Sequence, residues 1–253
     1  MEMLQDSATC WEVIAHLHKS FKLLSAPSQN EVLKSLKTRL LGTKEWRKVA
    51  GILNQIPSLA QCWKMAEALE HIQPAVLNLL QDSAWYVRNQ CVGIIATLIH
   101  YNYYKTKRLS VCNTILNHFG QSNKFRNRIL YITFCTLIVV KVSKSTFEKM
   151  FFPLLLTMAA DPISSVRMHL AATLPAVGRY FTGEEGWSKS IGDTMKRLAE
   201  DQDKDVVSCA QSSLRVMSEH QYWESSRTVE IEDAEKVKFE ARLDQLELSV
   251  CST

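Results

Sequence analysis

Asp161-Pro-Ile-Ser-Ser-Val-Arg-Met-His-Leu-Ala-Ala-Thr-Leu-Pro-Ala-Val177 is the stretch that decides the fold. It reads as a turn followed by a helix. Asp161 can accept a bond from an unpaired amide at a helix start, and Pro162 suits a first helical turn. Val166, Leu170, Ala171, Leu174 and Val177 then recur at helical spacing and make one apolar stripe. Before the turn, Phe147, Met150, Phe151, Leu154, Leu155 and Met158 make another apolar helix, expected over 145–159. The unit is therefore helix, acidic turn, helix. Such a pair cannot bury both its faces alone and needs a neighbour like itself.

The chain supplies those neighbours. Asp82 is followed six residues later by Arg88, as Asp161 is by Arg167, and Asp201 stands at the same distance before Val207. Pro74 and Pro153 each lie eight residues before the acidic position. In two weaker copies Ser122 precedes Arg128 and Leu41 precedes Arg47. The arginine-type positions are then 47, 88, 128, 167 and 207, with spacings of 41, 40, 39 and 40. A period near 40 with two helices per unit is the signature of HEAT-type repeats. The expected fold is all-α, a right-handed α-solenoid of about five helix pairs.

The composition agrees. A chain of 253 residues with 46% hydrophobic residues can bury a large core. Eight glycines and six prolines are few for so many connections, which favours long helices and short turns. No Asn-Gly or Asp-Gly turn separates alternating runs, so strand signals are nearly absent. The longest apolar run, 129–140, is too short to span a bilayer and reads as a buried helix. Seven cysteines are scattered without metal-ligand spacing. Together with the absence of a signal sequence, this suggests reduced thiols and a cytoplasmic protein.

In chain order, residues 1–24 form an N-terminal partial repeat. Within it an amphipathic helix is expected over 9–24, with Trp11, Ile14, Leu17, Phe21 and Leu24 on one side. It looks like the second helix of a repeat whose first helix is missing, as in a fragment of a longer array. Five repeats fill 25–218. Their helix pairs are expected at 28–41 and 47–59, 61–80 and 84–100, 105–119 and 124–141, 145–159 and 163–181, and 184–200 and 205–217. Ser28 with Glu31 reads as a capping box, and Pro74 as the cause of a bend. Residues 219–253 are a charged tail, partly helical or disordered, with one helix possible over 233–248.

These segments resemble a known family. Glu45-Trp-Arg-Lys-Val-Ala-Gly-Ile-Leu, Ala159-Ala-Asp-Pro-Ile-Ser-Ser-Val-Arg and Leu198-Ala-Glu-Asp-Gln-Asp-Lys-Asp-Val look like the C-terminal HEAT repeats of the scaffold (A) subunits of protein phosphatase 2A. Among scaffold-like proteins the nearest resemblance is to the regulatory-subunit-4 branch of protein phosphatase 4. The resemblance covers about residues 30–218, and the tail has no counterpart in the 2A scaffold. It implies a non-catalytic scaffold. In that family the turns inside the repeats line up as a ridge that grips a Ser/Thr phosphatase catalytic subunit, here of phosphatase 4 or 2A type. Carried over turn by turn, the ridge residues are Trp46 and Arg47, then Trp85 and Tyr86, then Lys124, Phe125 and Arg126, then Ser164 and Ser165. Asp82, Arg88, Asp161, Arg167 and Asp201 would form a structural ladder, each arginine bonding the aspartate of a neighbouring turn.

The residue types support that assignment independently. Trp, Tyr, Phe and Arg dominate binding energy at interfaces, and here they cluster at turns where the helical stripes do not require them. Charge gives a separate clue. Residues 83–147 hold nine Lys and Arg and no Asp or Glu, while residues 219–253 hold nine acidic and four basic residues. A basic middle favours an acidic protein partner or nucleic acid, which leaves a generic α-solenoid adaptor as the alternative. The tail could fold back onto the basic ridge as an internal competitor.

Catalysis finds no support. There is no Gly-rich phosphate loop, no Gly-x-Ser-x-Gly elbow and no His-Glu-x-x-His. His16 and His18 are two apart on a helix and face different directions. Cys91, Cys112 and Cys135 read as buried thiols, and Glu184 and Glu185 as charges at a helix start. No cofactor, metal, membrane or small-molecule ligand is expected.

Overall fold

Helices apolar on more than one face must be covered on more than one side, and in this chain equivalent helices cover one another. The computed structural model describes residues 21, 23–60, 65–82, 84–102, 104–181, 185–218 and 226–251. Every regular element among them is helical. The chain divides into two compact units at Tyr103 and Tyr104, which is the expected boundary between the second and third repeats. Most of the partial repeat expected over 1–24 lies outside the described residues. Phe21 does not, and it is fully buried.

Among the described residues the first unit contains two helix pairs: α1 (Ala26–Gly42) with α2 (Trp46–Ala60), and α3 (Met65–Asp82) with α4 (Trp85–Tyr101). First helix packs on first helix (α1 on α3) and second on second (α2 on α4), as repeats require. Polar side chains mark the same register. The Asn30 carboxamide meets the His71 ring at 2.8 Å, and the Gln90 amide donates to Asn54 at 2.8 Å. α4 buries nine side chains, Val87 to Ile99, because it is covered on several sides. Full burial of one such aliphatic side chain contributes about 1.5–3 kcal/mol.

The start of α1 differs from the capping box expected at Ser28. Ser25 is the cap, and its hydroxyl accepts from the Ser28 amide at 3.4 Å. Pro27 occupies the first turn, where its missing N–H costs nothing, so the helix begins two residues before Ser28. Glu31 instead pairs with Lys34 at 3.0 Å on the exposed face. α3 is assigned as one helix through Pro74.

Among the described residues the second unit holds three pairs and a further helix. α5 (Lys105–Ile115) ends in a π-turn over Leu116–Gly120 and pairs with α6 (Phe125–Ile138). The first helix of the fourth repeat is broken, where one helix was expected over 145–159. α7 (Lys144–Met150) and α8 (Phe152–Thr157) meet at Phe151, and a 3-10 turn Met158–Ala160 follows. Pro153 in the first turn of α8 has no N–H for the preceding turn, which forces the break. The Phe151 carbonyl accepts from the Leu155 amide at 3.1 Å and also from the buried Tyr131 hydroxyl at 2.7 Å. Phe134, Phe147, Phe151, Phe152 and Phe181 fill the space around the break, with ring centroids 5.4–6.2 Å apart.

α9 (Ser164–Gly178) is the central helix of this unit, flanked by α6 and α11. α10 (Glu185–Ala199) and α11 (Lys204–Ser218) complete the fifth repeat, and α12 (Ser226–Cys251) is the tail helix, longer than the expected 233–248. No helix among the described residues is long and apolar enough to cross a membrane.

Candidate functional site

Within each unit the turns inside the helix pairs lie along one edge, and the described side chains on the two edges differ in chemistry. In the first unit that edge is aromatic. α2 begins directly at Trp46 and α4 at Trp85, so both indoles sit at helix starts with no core position to fill. Trp46 is 41% exposed, and Trp85 and Tyr86 are each 50% exposed. They are not scattered. The Trp46 and Tyr86 rings meet edge-to-face with centroids 5.9 Å apart. The Arg47 guanidinium lies over the other ring system, 4.6 Å from the Trp46 centroid. Arginine, tryptophan and tyrosine thus form a preassembled surface cluster with Trp85 beside it in sequence. Such a patch is costly to leave facing water and is the usual anchor type at protein interfaces. Arg88, half-buried in the first turn of α4, has its own contacts. The Asp82 side chain lies outside the described set.

In the second unit the turn edge is ionic. Arg128 donates through Nε and Nη2 to the two Asp161 oxygens, the latter at 2.8 Å, and through Nη1 to the Ser122 carbonyl at 2.7 Å. Arg167 repeats the arrangement on the next turn. Its Nε and Nη2 each donate to Asp201 at 2.7 Å, and its Nη1 donates to the Asp161 carbonyl at 2.8 Å. The four side chains are covered, between 4% and 11% exposed. Bidentate geometry of this kind gives both energy and fixed spacing. The bond from Arg167 holds the Asp201 carboxyl below its ordinary range, and the bond to Asp161 raises Arg128 further above its own.

The aspartates also shape their turns. Asp161 accepts from the Ile163 amide at 2.9 Å, and Asp201 accepts from the Asp203 amide at 2.9 Å. Asp161 therefore caps the turn rather than the helix. α9 begins only at Ser164, so Pro162 lies in the turn and not in the first helical turn. Arg128 belongs to the ladder although only Asp161, Arg167 and Asp201 were expected there in this unit. The period pointed to it, since Arg128 follows Ser122 by six residues.

The third and fourth turns divide the remaining candidates. Lys124, Phe125 and Arg126 are exposed, with the Arg126 guanidinium 5.7 Å from the Phe125 ring centroid. The Lys124 amide donates to the Ser122 hydroxyl at 3.2 Å. Ser165 is exposed, but Ser164 is half-buried and its hydroxyl bonds Asp203, lowering that carboxyl. Ser164 is thus engaged in the ladder turn. A cleft of about 480 Å³ lies between these two turns, lined by Gly120, Ser122, Arg128, Leu154 and Asp161, with half-exposed Ile163 at its mouth.

Among the described residues no group of three His, Cys, Asp or Glu is placed to hold a metal. Cys91 and Cys112 are buried, which pushes both thiols up to about 12, and burial raises Cys135 as well. Such thiols are poor nucleophiles at neutral pH.

Comparison with known proteins points to one group. The chain is 25% identical over 205 residues to Serine/threonine-protein phosphatase 4 regulatory subunit 1 of Rattus norvegicus, covering 77% of this chain and 22% of that protein. It is 24% identical over 157 residues to Serine/threonine-protein phosphatase 4 regulatory subunit 4 of Homo sapiens, covering 62% of this chain and 18% of that protein. The chain thus spans about a fifth of the length of the curated relatives it matches. Among solved structures it overlaps loosely with a designed armadillo repeat protein in complex with the peptide (KR)4, at 12% identity and a TM-score of 0.42. No family model matches. The relatives carry the names of regulatory subunits, and the resemblance seen in the turn segments is to the same group.

Proposed function

We propose that this chain is a non-catalytic regulatory or scaffold subunit that binds a Ser/Thr protein phosphatase catalytic subunit, of phosphatase 4 or 2A type, through its turns. One observation carries the reading: Trp46, Arg47 and Tyr86 stack on one another at the surface, at turn positions that the helix packing does not need. Exposed Trp85, next to Tyr86 in sequence, is a further candidate contact, and Lys124, Phe125, Arg126 and Ser165 are the candidate contacts on the second unit. The names of the relatives support the choice of partner. Binding of this kind acts by positioning, giving an enzyme a location or substrate without adding chemistry. A cytoplasmic location fits the reduced, buried thiols.

The adaptor reading through the basic middle is weaker. Two of its cations, Lys105 and Arg108, are paired within the chain to Asp244. The test is affinity capture from cell lysate with the full chain and with a Trp46→Ala, Trp85→Ala variant, read by mass spectrometry. A phosphatase catalytic subunit captured by the parent and lost with the variant supports the proposal. Capture by both removes the aromatic cluster from the contact. A folded parent that captures no phosphatase, but binds nucleic acid with a steep salt slope, overturns the proposal for the adaptor.

A further inference from the structure

The acidic tail was expected to cover the basic turn ridge if it folded back, and it docks elsewhere. Its partners sit where helix pairs begin and end, about 20 Å from the turns, the length of a 14-residue helix. Asp233 Oδ1 accepts from the Lys144 amide at 2.7 Å. Glu240 accepts from the Ser143 amide at 2.7 Å, the Ser143 hydroxyl at 2.8 Å and the Thr146 hydroxyl at 2.9 Å. Asp244 accepts from Lys105 at 3.0 Å and from Arg108. Lys236 donates to the Val139 carbonyl at 3.2 Å and lies 5.0 Å from the Tyr180 ring centroid.

These residues, with buried Val229 and Leu243, fall at 229, 233, 236, 240, 243 and 244, one stripe of an α-helix. The edge therefore reads helix geometry as well as charge. Its amides, hydroxyls and cations receive carboxylates at fixed positions i, i+7 and i+11. The hold is nevertheless light. α4 buries nine side chains, whereas only Val229 and Leu243 are buried among the described side chains of the 26-residue α12. The Lys105–Asp244 pair is 57% and 38% exposed, where salt bridges contribute little. A long helix tied mostly by half-exposed polar contacts belongs to the easily opened part of a fold.

We propose that this edge of the second unit is a receiving site for an acidic amphipathic helix of a partner protein, with α12 as its resident, displaceable occupant. A competing helix would carry carboxylates at i, i+7 and i+11, apolar residues at i−4 and i+10, and a basic residue at i+3. Displacing α12 would part Lys105 and Arg108 from Asp244 and uncover the Ser143 and Lys144 amides and the Tyr180 face together. The site shares no residue with the turn edge of its own unit.

The test uses a fluorescent synthetic peptide of residues 226–251 and two full-length chains, the parent and an Asp233→Lys, Glu240→Lys, Asp244→Lys variant. The variant keeps the whole chain but lifts its own helix. Binding is read by anisotropy and tail docking by hydrogen exchange over residues 229–244. The variant should exchange fast there and bind the peptide roughly tenfold or more tighter than the parent, because an intramolecular competitor acts at high effective concentration. Adding Lys105→Ala and Arg108→Ala to the variant should remove most of that binding. Several outcomes overturn the proposal. One is equal binding by the two chains, and another is no binding while exchange shows the tail lifted. Tail protection that survives in the variant also sinks it, since the carboxylates then do not hold the helix. Displacement of the peptide by short duplex RNA at equal charge would mean diffuse anion binding. A parent that sediments as a dimer while the variant is monomeric would make a second copy the occupant.

Discussion

The described side chains on the turn edges of the two units differ in chemistry. In the first, the turn edge carries Trp46, Arg47, Trp85 and Tyr86, with two indoles and a phenol facing water. In the second, the turn edge carries Arg128, Asp161, Arg167 and Asp201, whose charges are satisfied inside the protein. The first arrangement leaves large aromatic surface facing water. The second fixes the spacing of neighbouring turns, beside exposed Lys124, Phe125, Arg126 and Ser165. Residues two or three places apart in the same turn can thus serve different ends, one facing water and one tying neighbouring turns together.

Substitutions can break that contrast. Arg167→Ala should have the largest effect, lowering stability by about 3 kcal/mol, because it leaves Asp201 and the Asp161 carbonyl covered and unpaired. Thermal or urea unfolding reads it, and a loss under about 1 kcal/mol would mean that the ladder is ornamental. Trp46→Ala should do the reverse. It should leave the unfolding midpoint nearly unchanged and weaken phosphatase capture by about 2 kcal/mol, roughly 30-fold. Destabilisation without loss of binding would place Trp46 in a local plug instead.

Acid sharpens the comparison. Asp201 has a folded-state pKa depressed by Arg167, so its contribution is present above the unfolded value of about 3.9 and lost as pH falls through the lower folded value. The second unit should therefore lose this stability below about pH 4, and Arg167→Ala should remove that part of the acid dependence. Unfolding followed from pH 6 downward in the two proteins checks the difference. A smaller effect is expected at Gly120, where an added Cβ would lie 2.5 Å from Leu154 Cδ2. Gly120→Ala should cost about 1 kcal/mol by overpacking, relieved when Leu154→Ala is added. Smallest is Lys34→Ala. Its exposed pair with Glu31 should be worth at most about 0.5 kcal/mol in urea unfolding.

Much of this was legible from residue spacing. The recurrence of Asp or Ser six residues before Arg located the turns and implied paired helices between them. The exposed aromatics were legible because Trp46 and Trp85 fall outside the apolar stripes. Other features were not. Ser25, not Ser28, caps the first helix because Pro27 fits the turn between them. The break at Phe151 follows Pro153, and the Tyr131 hydroxyl that bonds the Phe151 carbonyl comes from twenty residues away. Ser164 looked like a surface serine until Asp203, on a different turn, accepted its hydroxyl.

What the sequence alone determined is local: helix, turn, period and the sign of charge in each stretch. These follow from dihedral preferences and from spacing, which act over a few residues. What only the tertiary structure decided is pairing. Arg128 meets Asp161 33 residues on, and Glu240 meets Ser143 97 residues back. Equally plausible partners were present at other positions. Nothing in a one-dimensional charge pattern selects among them, because selection depends on which helix ends the packing brings within about 3 Å of one another.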